Sequence, residues 1–457
     1  MQSSDAYENI HVTASTYEER LARAGETTSI DTPPKPESVP ARENDASTPG
    51  SGKGTILQSV FWQKWYAAFK SILSIYIPVH LALLVISCLA FLFVIKDFSG
   101  NTLPVATLWN QWRHWDSNFY IEIATVGYRT PQHPAFFPLY PLLIRGGSFI
   151  THSPVIAGLL ISNIAELFLF VVLYRLIEED FDGKRAYYSV LYFAIFPTAF
   201  FFSAIYTESL FLCFSTLTFY QLRRGRWWWA ALCAGLASFT RPDGMFLLVP
   251  FCYEYFYRLW QQQEKPPHAL FSLKELGGMV KGIRPNILAA LGFPAGIFLV
   301  MAYGYYRFHD LLAFVHAHRY WSRITSIPGA SMLTTLRTIH HYGIFNFLSM
   351  RSSIELGADL FILVLIALCF IGPWKLPKSM WGYGFYALAI YLYLQTFPVA
   401  GEYPLESMSR FVLEIFPAFI LLSRIRTSRT VNLSYCMVAG ALFFFLLTQF
   451  LSGHWIT

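Results

Sequence analysis

Four residues of this 457-residue chain combine a reactive or phosphate-binding side chain with a setting that water reaches poorly: Asp116, Glu208, Arg241 and Arg410. Asp116 lies in WRHWDSNFYIEIATVGY (112–128). If one helix runs through it, Trp112, Phe119, Tyr120 and Ile123 share its face at i−4, i+3, i+4 and i+7. A carboxylate held on such an aromatic face suits a general base for a sugar hydroxyl; the plainer reading is an interfacial helix capped by Asp116. Glu208 falls between two apolar runs in FFSAIYTESLF, where an unpaired acid is costly and therefore functional or paired. A first-turn acid beside Thr207 is the alternative.

Arg241 opens RPDG, in which Pro242 and Gly244 break the helix. It is a phosphate or sugar contact, or the turn partner of Asp243. Arg410 stands at the mouth of an apolar run, at the depth of a lipid phosphate. Glu406, Arg410 and Glu414 also have the i, i+4, i+8 spacing of an ion-pair ladder, so both readings stay open. Arg is the cation suited to phosphate because its fork binds two oxygens and stays charged. Arg319 and Arg323 are the next candidates. Glu166, one turn from Asn163, reads as interhelical hydrogen bonding. His316, His318, His340 and His341 leave a divalent cation as an option, although no acid or Cys completes a familiar ligand spacing, and the chemistry requires no metal or other cofactor. The sequence has no P-loop, GxGxxG, GxSxG or HExxH. The six cysteines form no CxxC.

Positioning these residues falls to membrane-spanning helices. Hydrophobic types make up 54% of the chain and charged types 14%. Soluble domains carry about 25% charged residues, so lipid must cover much of this surface. Apolar runs close to the length a bilayer needs occur at 72–95, 154–177, 186–202, 204–222, 227–241, 244–260, 286–306, 356–373, 381–398, 411–424 and 432–452, which predicts nine to eleven spans. Residues 134–150, with three prolines, are a further segment of this kind. No internal repeat is present, which disfavours a transporter or flippase, the main alternative class; a non-catalytic assembly subunit is the other. The expected fold is all-α: a polar, disordered cytoplasmic tail over 1–54, then a multi-span domain over 55–457 with outer loops near 96–153 and 309–355.

Charge gives the orientation. With the tail in the cytoplasm, Lys184 and Arg185, Arg223 to Arg226, Lys265 to Arg284, Lys375 and Lys378, and Arg424 to Arg429 all fall on the tail's side. The opposite side receives Lys96 as its only lysine. The net charge of +6 is therefore topology signal, not a nucleic-acid footprint. The opposite side holds WDSNFY (115–120), FFPLYP (136–141), YTES (206–209), TRPDG (240–244), HAHRYW (316–321) and GEYPLESMSR (401–410).

In order and in sidedness, the segments 115–128, 135–143, 196–211, 240–244 and 407–417 resemble the second GPI mannosyltransferase family of the GT-C glycosyltransferases. That resemblance implies an inverting membrane mannosyltransferase. Its donor would be a dolichyl- or polyprenyl-phosphate sugar and its acceptor a glycolipid on the non-cytoplasmic side. The membrane would be the endoplasmic reticulum in a eukaryote or the plasma membrane in a bacterium. It places Asp116 at the reacting hydroxyl. Asp116 and Glu208 are accordingly the expected catalytic acids, and Arg241, Arg410, Tyr120, Tyr206 and Trp115 the expected donor-phosphate and substrate contacts. TRPDG departs from the family, which more often carries Asn in place of Asp243.

Overall fold

The computed structural model describes residues 52–94, 106–262, 282–425 and 428–454, with side chains of the first helix described from 61 to 90. Of the tail expected over 1–54, residues 1–51 lie outside the described residues, and 52–54 begin the first helix. Helices of more than ten residues are α1 Gly52–Val94, α2 Asp116–Val126, α3 Leu139–Thr151, α4 Pro154–Asp180, α5 Gly183–Ala194, α6 Glu208–Leu222, α7 Trp227–Thr240, α8 Leu248–Gln261, α9 Ala295–Phe308, α10 Ala330–Tyr342, α11 Phe347–Phe370, α12 Trp381–Thr396 and α13 Arg429–Leu451. No strand occurs among the described residues; a single bridge pairs Arg323 with Val399. The all-α, multi-span class is as the sequence predicts.

Local chemistry sets the helix starts. Ser153, with Pro154 behind it, accepts the amide of Ile156; Asp182 accepts that of Arg185; Asn346 accepts that of Leu348; and Ser428 accepts that of Val431. Each satisfies a donor that the first helical turn leaves open.

Among the described residues, four helices are long and apolar enough to cross a membrane: Phe61–Ala90, Pro154–Asp180, Phe347–Phe370 and Arg429–Leu451. The bent pair Pro285–Gly292 and Ala295–Phe308 makes up to five. Five other expected runs form helices of 12 to 16 residues, α5 to α8 and α12, and the run 411–424 forms only a helix of 9 residues, Pro417–Ile425. Of these, α5 ends well before its expected run, 186–202, because apolar character continues through the break. At Phe196–Pro197–Thr198 the chain stays apolar, but proline has no amide to continue a helix. The chain then makes a short turn, Ala199–Phe202, and bends to deliver Glu208. The segment 134–150 forms α3, which exposes Phe149 and Ile150.

α6 lies at the centre, packed against α4 and α7. α7 is gripped at its C-terminal end. A β-carbon on Gly244 would stand 2.3 Å from the Ser238 nitrogen, and one on Gly296 would stand 2.2 Å from that of Phe239. Only glycine permits so close an approach from the 242–247 turn and from α9. That grip fixes where Arg241, the next residue, can point.

Candidate functional site

Four separate stretches of chain deliver one continuous run of charge. Arg410 Nη1 donates to Asp116 Oδ2 at 2.9 Å, across 294 residues of sequence. Its Nε lies 3.4 Å from Glu208 Oε1. The same Oε1 accepts from Arg241 Nη1 at 3.1 Å. Arg241 then reaches Asp243 Oδ2 at 3.4 Å through Nε, and Glu414 Oε1 at 2.7 Å through Nη2. Asp116, Glu208, Arg241 and Arg410 thus meet as a set.

Each member arrives by a different device. Glu208 is the first residue of α6, where the open end of the helix favours an acid. Asp116 is the first residue of α2, and Trp115 before it has φ 47°. The helix therefore starts at Asp116, and Trp112 lies before it, off the face that continuous helical spacing would give it. Arg410 sits on the single turn Met408–Phe411, entered through Ser407 at φ 68°. That left-handed residue breaks the helix needed for a Glu406–Arg410–Glu414 ladder, so Arg410 pairs across the fold and Glu414 pairs with Arg241. Backbone of this kind outside glycine costs about 1–3 kcal/mol per residue and gathers at functional sites.

The acids are not equivalent. The Glu208 side chain is 1% exposed and Asp116 18%. Glu208 is held as the bridge between two guanidiniums, whereas Asp116 is the acid that a substrate can touch. Several acceptors lack a hydrogen-bonding partner: Glu208 Oε2, Asp243 Oδ1 and both oxygens of Glu414, whose close ion pair with Arg241 is poorly aligned for a hydrogen bond. Burial raises Asp243 above the ordinary carboxylate range against the pull of Arg241. Burial disfavours the charge on Arg410, but Asp116 and Glu208 more than offset it and hold the guanidinium above its ordinary value.

Aromatic rings enclose the cations. Arg410 lies over Phe201, Tyr206 and Phe411 at 5.4, 5.3 and 4.7 Å. Arg241 and Arg323 stand 5.5 and 5.6 Å from the same Phe411 ring, so three guanidiniums converge on one phenyl group. Tyr206 donates to the His114 carbonyl at 3.2 Å; the Tyr120 hydroxyl lies 3.3 Å from that of Thr207, which in turn accepts from Arg241. Trp115 packs against His114 and Phe450.

Arg323 arrives on a strap. The amides of Ile324 and Ser326 donate to Pro398 and Thr396, and that of Ala400 donates to Ser322. Arg323 Nη1 donates to the Phe397 carbonyl at 3.0 Å. Among the described residues no carboxylate lies within ion-pair distance of it. Burial lowers its affinity for a proton; Glu406 opposes that and Arg410 adds to it. An anion here would relieve both costs.

The remaining candidates fall elsewhere. Glu166 accepts from Ser203 Oγ at 2.8 Å, and Asn163 Oδ1 lies 2.9 Å from His80 Nε2, which is interhelical hydrogen bonding as its type suggested. His316 pairs with Asp310 at 2.7 Å. Among the described residues no group of three or more His, Cys, Asp or Glu is gathered for a metal. Sequence reasoning gave Asp243 and Glu414 only local roles and overlooked Phe411. The signal for Glu414 was present, as an acid inside the apolar run FVLEIFP.

The sequence model of the Mannosyltransferase (PIG-V) family matches residues 74–316. GPI mannosyltransferase 2 of Schizosaccharomyces pombe is 30% identical over 150 residues, 32% of each chain. GPI alpha-1,6-mannosyltransferase 2 of Homo sapiens is 28% identical over 205 residues, 42% of this chain and 40% of the human one. The match thus spans about a third to two fifths of these curated relatives. Among solved structures, ArnT from Cupriavidus metallidurans bound to undecaprenyl phosphate is similar at a TM-score of 0.46 and 14% identity, over 79% of this chain and 62% of that one.

Proposed function

This chain belongs to the Mannosyltransferase (PIG-V) family, and on that premise we propose that it transfers mannose from a dolichyl- or polyprenyl-phosphate donor to a glycolipid acceptor, with inversion. The observation that carries the reading is the Asp116–Arg410 pair: the partly exposed acid of the cluster, aimed by a cation from the far end of the chain. The relatives' name, GPI mannosyltransferase 2, supports a glycolipid acceptor.

Asp116 takes the proton of the acceptor hydroxyl as its oxygen attacks the anomeric carbon. The bond from that carbon to the phosphate oxygen breaks, and the lipid phosphate leaves with the electron pair. Neutralised phosphate is a good leaving group, so one base and a cation suffice. Arg410 orients the base. Arg323 is the better phosphate ligand, because Arg241 and Arg410 are already matched by carboxylates. Glu208 and Arg241 form the rigid frame, and Tyr120, Tyr206 and Trp115 wall it. The site faces the non-cytoplasmic side, the membrane being the endoplasmic reticulum in a eukaryote, with the N-terminus in the cytoplasm.

The test is incubation of the purified protein with polyprenyl-phosphate mannose and a lipid extract, read by mass spectrometry. A glycolipid that gains one hexose supports the reading; no product with any polyprenyl-phosphate sugar sinks it. A reporter after Arg226 reads cytoplasmic and one near Ser326 reads external; the same side for both would undo the orientation.

A further inference from the structure

The residue that fixes Arg410 lies outside the ion-pair run. Met408–Phe411 is a single turn, too short to hold its own direction. It is pinned one residue before Arg410. The Ser409 amide donates to Glu355 Oε2 at 2.6 Å, and the Ser409 hydroxyl donates to Glu355 Oε1 at 3.0 Å. The Ser409 carbonyl accepts from Thr198 Oγ1 at 2.7 Å. All three polar groups of Ser409 are thus taken by side chains from two other elements, α11 and the Pro197 break. Glu355 and Thr198 have no exposed surface. Among the described residues no cation lies within ion-pair distance of Glu355. An acid buried in a membrane-length helix is costly and is retained for a specific partner. Here the short contacts are the amide and hydroxyl of Ser409, beside Arg410, with the Tyr403 hydroxyl a longer donor at 3.5 Å.

We propose that Glu355 is a positioning residue: through Ser409 it sets the Arg410 guanidinium against Asp116, so transfer depends on it although it touches no substrate. This rests on the reading of Asp116 and Arg410 given above. Glu355→Gln keeps the shape, its carbonyl accepting the Ser409 amide while its NH2 donates to the hydroxyl oxygen. Glu355→Leu removes both acceptors.

Three measurements on the full-length protein decide it: turnover with polyprenyl-phosphate mannose per folded molecule, donor KM, and amide hydrogen exchange of a peptide covering 405–411. Glu355→Leu is expected to lower kcat about 10²-fold, the cost of a small misplacement at a reacting centre. Donor KM should move little, exchange over 405–411 should quicken, and Glu355→Gln should recover most of the loss. In an Arg410→Ala background, Glu355→Leu should cost no further turnover. Unchanged turnover in Glu355→Leu, or losses that multiply in the double variant, would overturn the assignment. If the wild type shows no transfer at all, the reading of the reaction fails. The exchange measurement then stands alone, and a 405–411 peptide as protected in Glu355→Leu as in the wild type overturns the placement.

Discussion

Helix α6 carries a charged cluster at each end, and the two obey different rules. Glu208 starts the helix and Arg223 follows its last residue, about 22 Å away at 1.5 Å per residue. At the Arg223 end charge and hydrogen bonding close. Arg223 Nε donates to both oxygens of Asp180, at 3.0 and 3.2 Å, and its Nη1 donates to Glu254 and to the Ser379 carbonyl. Tyr383 donates to Asp180 at 2.6 Å, and Arg258 to Glu254 at 3.1 Å. Two acids meet two guanidiniums, and none of the four acid oxygens is without a partner. The cavity beside them, lined by Arg223, Glu254 and Tyr383, holds about 10 Å³, room for no more than one water.

At the Glu208 end, four acids (Asp116, Glu208, Asp243 and Glu414) meet two guanidiniums. Buried acceptors stand open, and strained backbone precedes both Asp116 and Arg410. A fold that needed only to hold itself together would close both ends alike. Such departures from local rules mark function. A buried ion pair alone therefore says little; what its remaining lone pairs do separates scaffold from site.

Either end of α6 can be put to the test by substitution. Arg223→Ala leaves Asp180 with Tyr383 but no cation and Glu254 with Arg258 alone, and removing one partner of a buried pair costs about 3–5 kcal/mol. Thermal unfolding in detergent should shift strongly, while turnover per folded molecule should hold. A stable but inactive variant would make the Arg223 end functional too. A smaller effect is expected from Arg323→Lys, which keeps the charge and loses the fork. Donor KM should rise about tenfold, the cost of roughly one charge-assisted hydrogen bond, with stability unmoved. An unchanged KM would return the phosphate to Arg410 or Arg241.

The smallest effect lies in pH. Burial and the neighbouring Arg323 push His318 down to about 4, below its ordinary value of 6.5. The unfolded chain therefore binds more protons between those values. The contribution of His318 to stability is full above about 6.5 and is lost as pH falls toward about 4. His318→Gln should flatten that part of the stability profile, measured as melting temperature against pH. An unaltered profile would place the acid sensitivity elsewhere.

What the sequence made legible is what local interactions decide. The spans were visible as apolar runs, and Asp116, Glu208, Arg241 and Arg410 stood out as charge where charge is expensive. Their shared side was legible, whereas their meeting had to come from the fold. The ladder around Arg410 failed because spacing cannot reveal a left-handed Ser407. Arg323 was visible only as a reserve phosphate candidate, and the roles of Phe411 and Glu355 were hidden because each depends on contacts dozens or hundreds of residues away. The run 186–202 was drawn too long because Pro197 interrupts a stretch that hydropathy alone reads as continuous.

The role of Asp116 as the base is best tested by the turnover of Asp116→Asn beside its melting temperature. The substitution keeps size and can still accept from Arg410, but removes the base. General base catalysis is typically worth about 10²–10⁴-fold, and turnover should fall by that order with melting nearly unchanged. Turnover close to wild type, in a protein that folds and binds donor, would contradict the assignment of Asp116 and the distinction drawn between the two ends of α6.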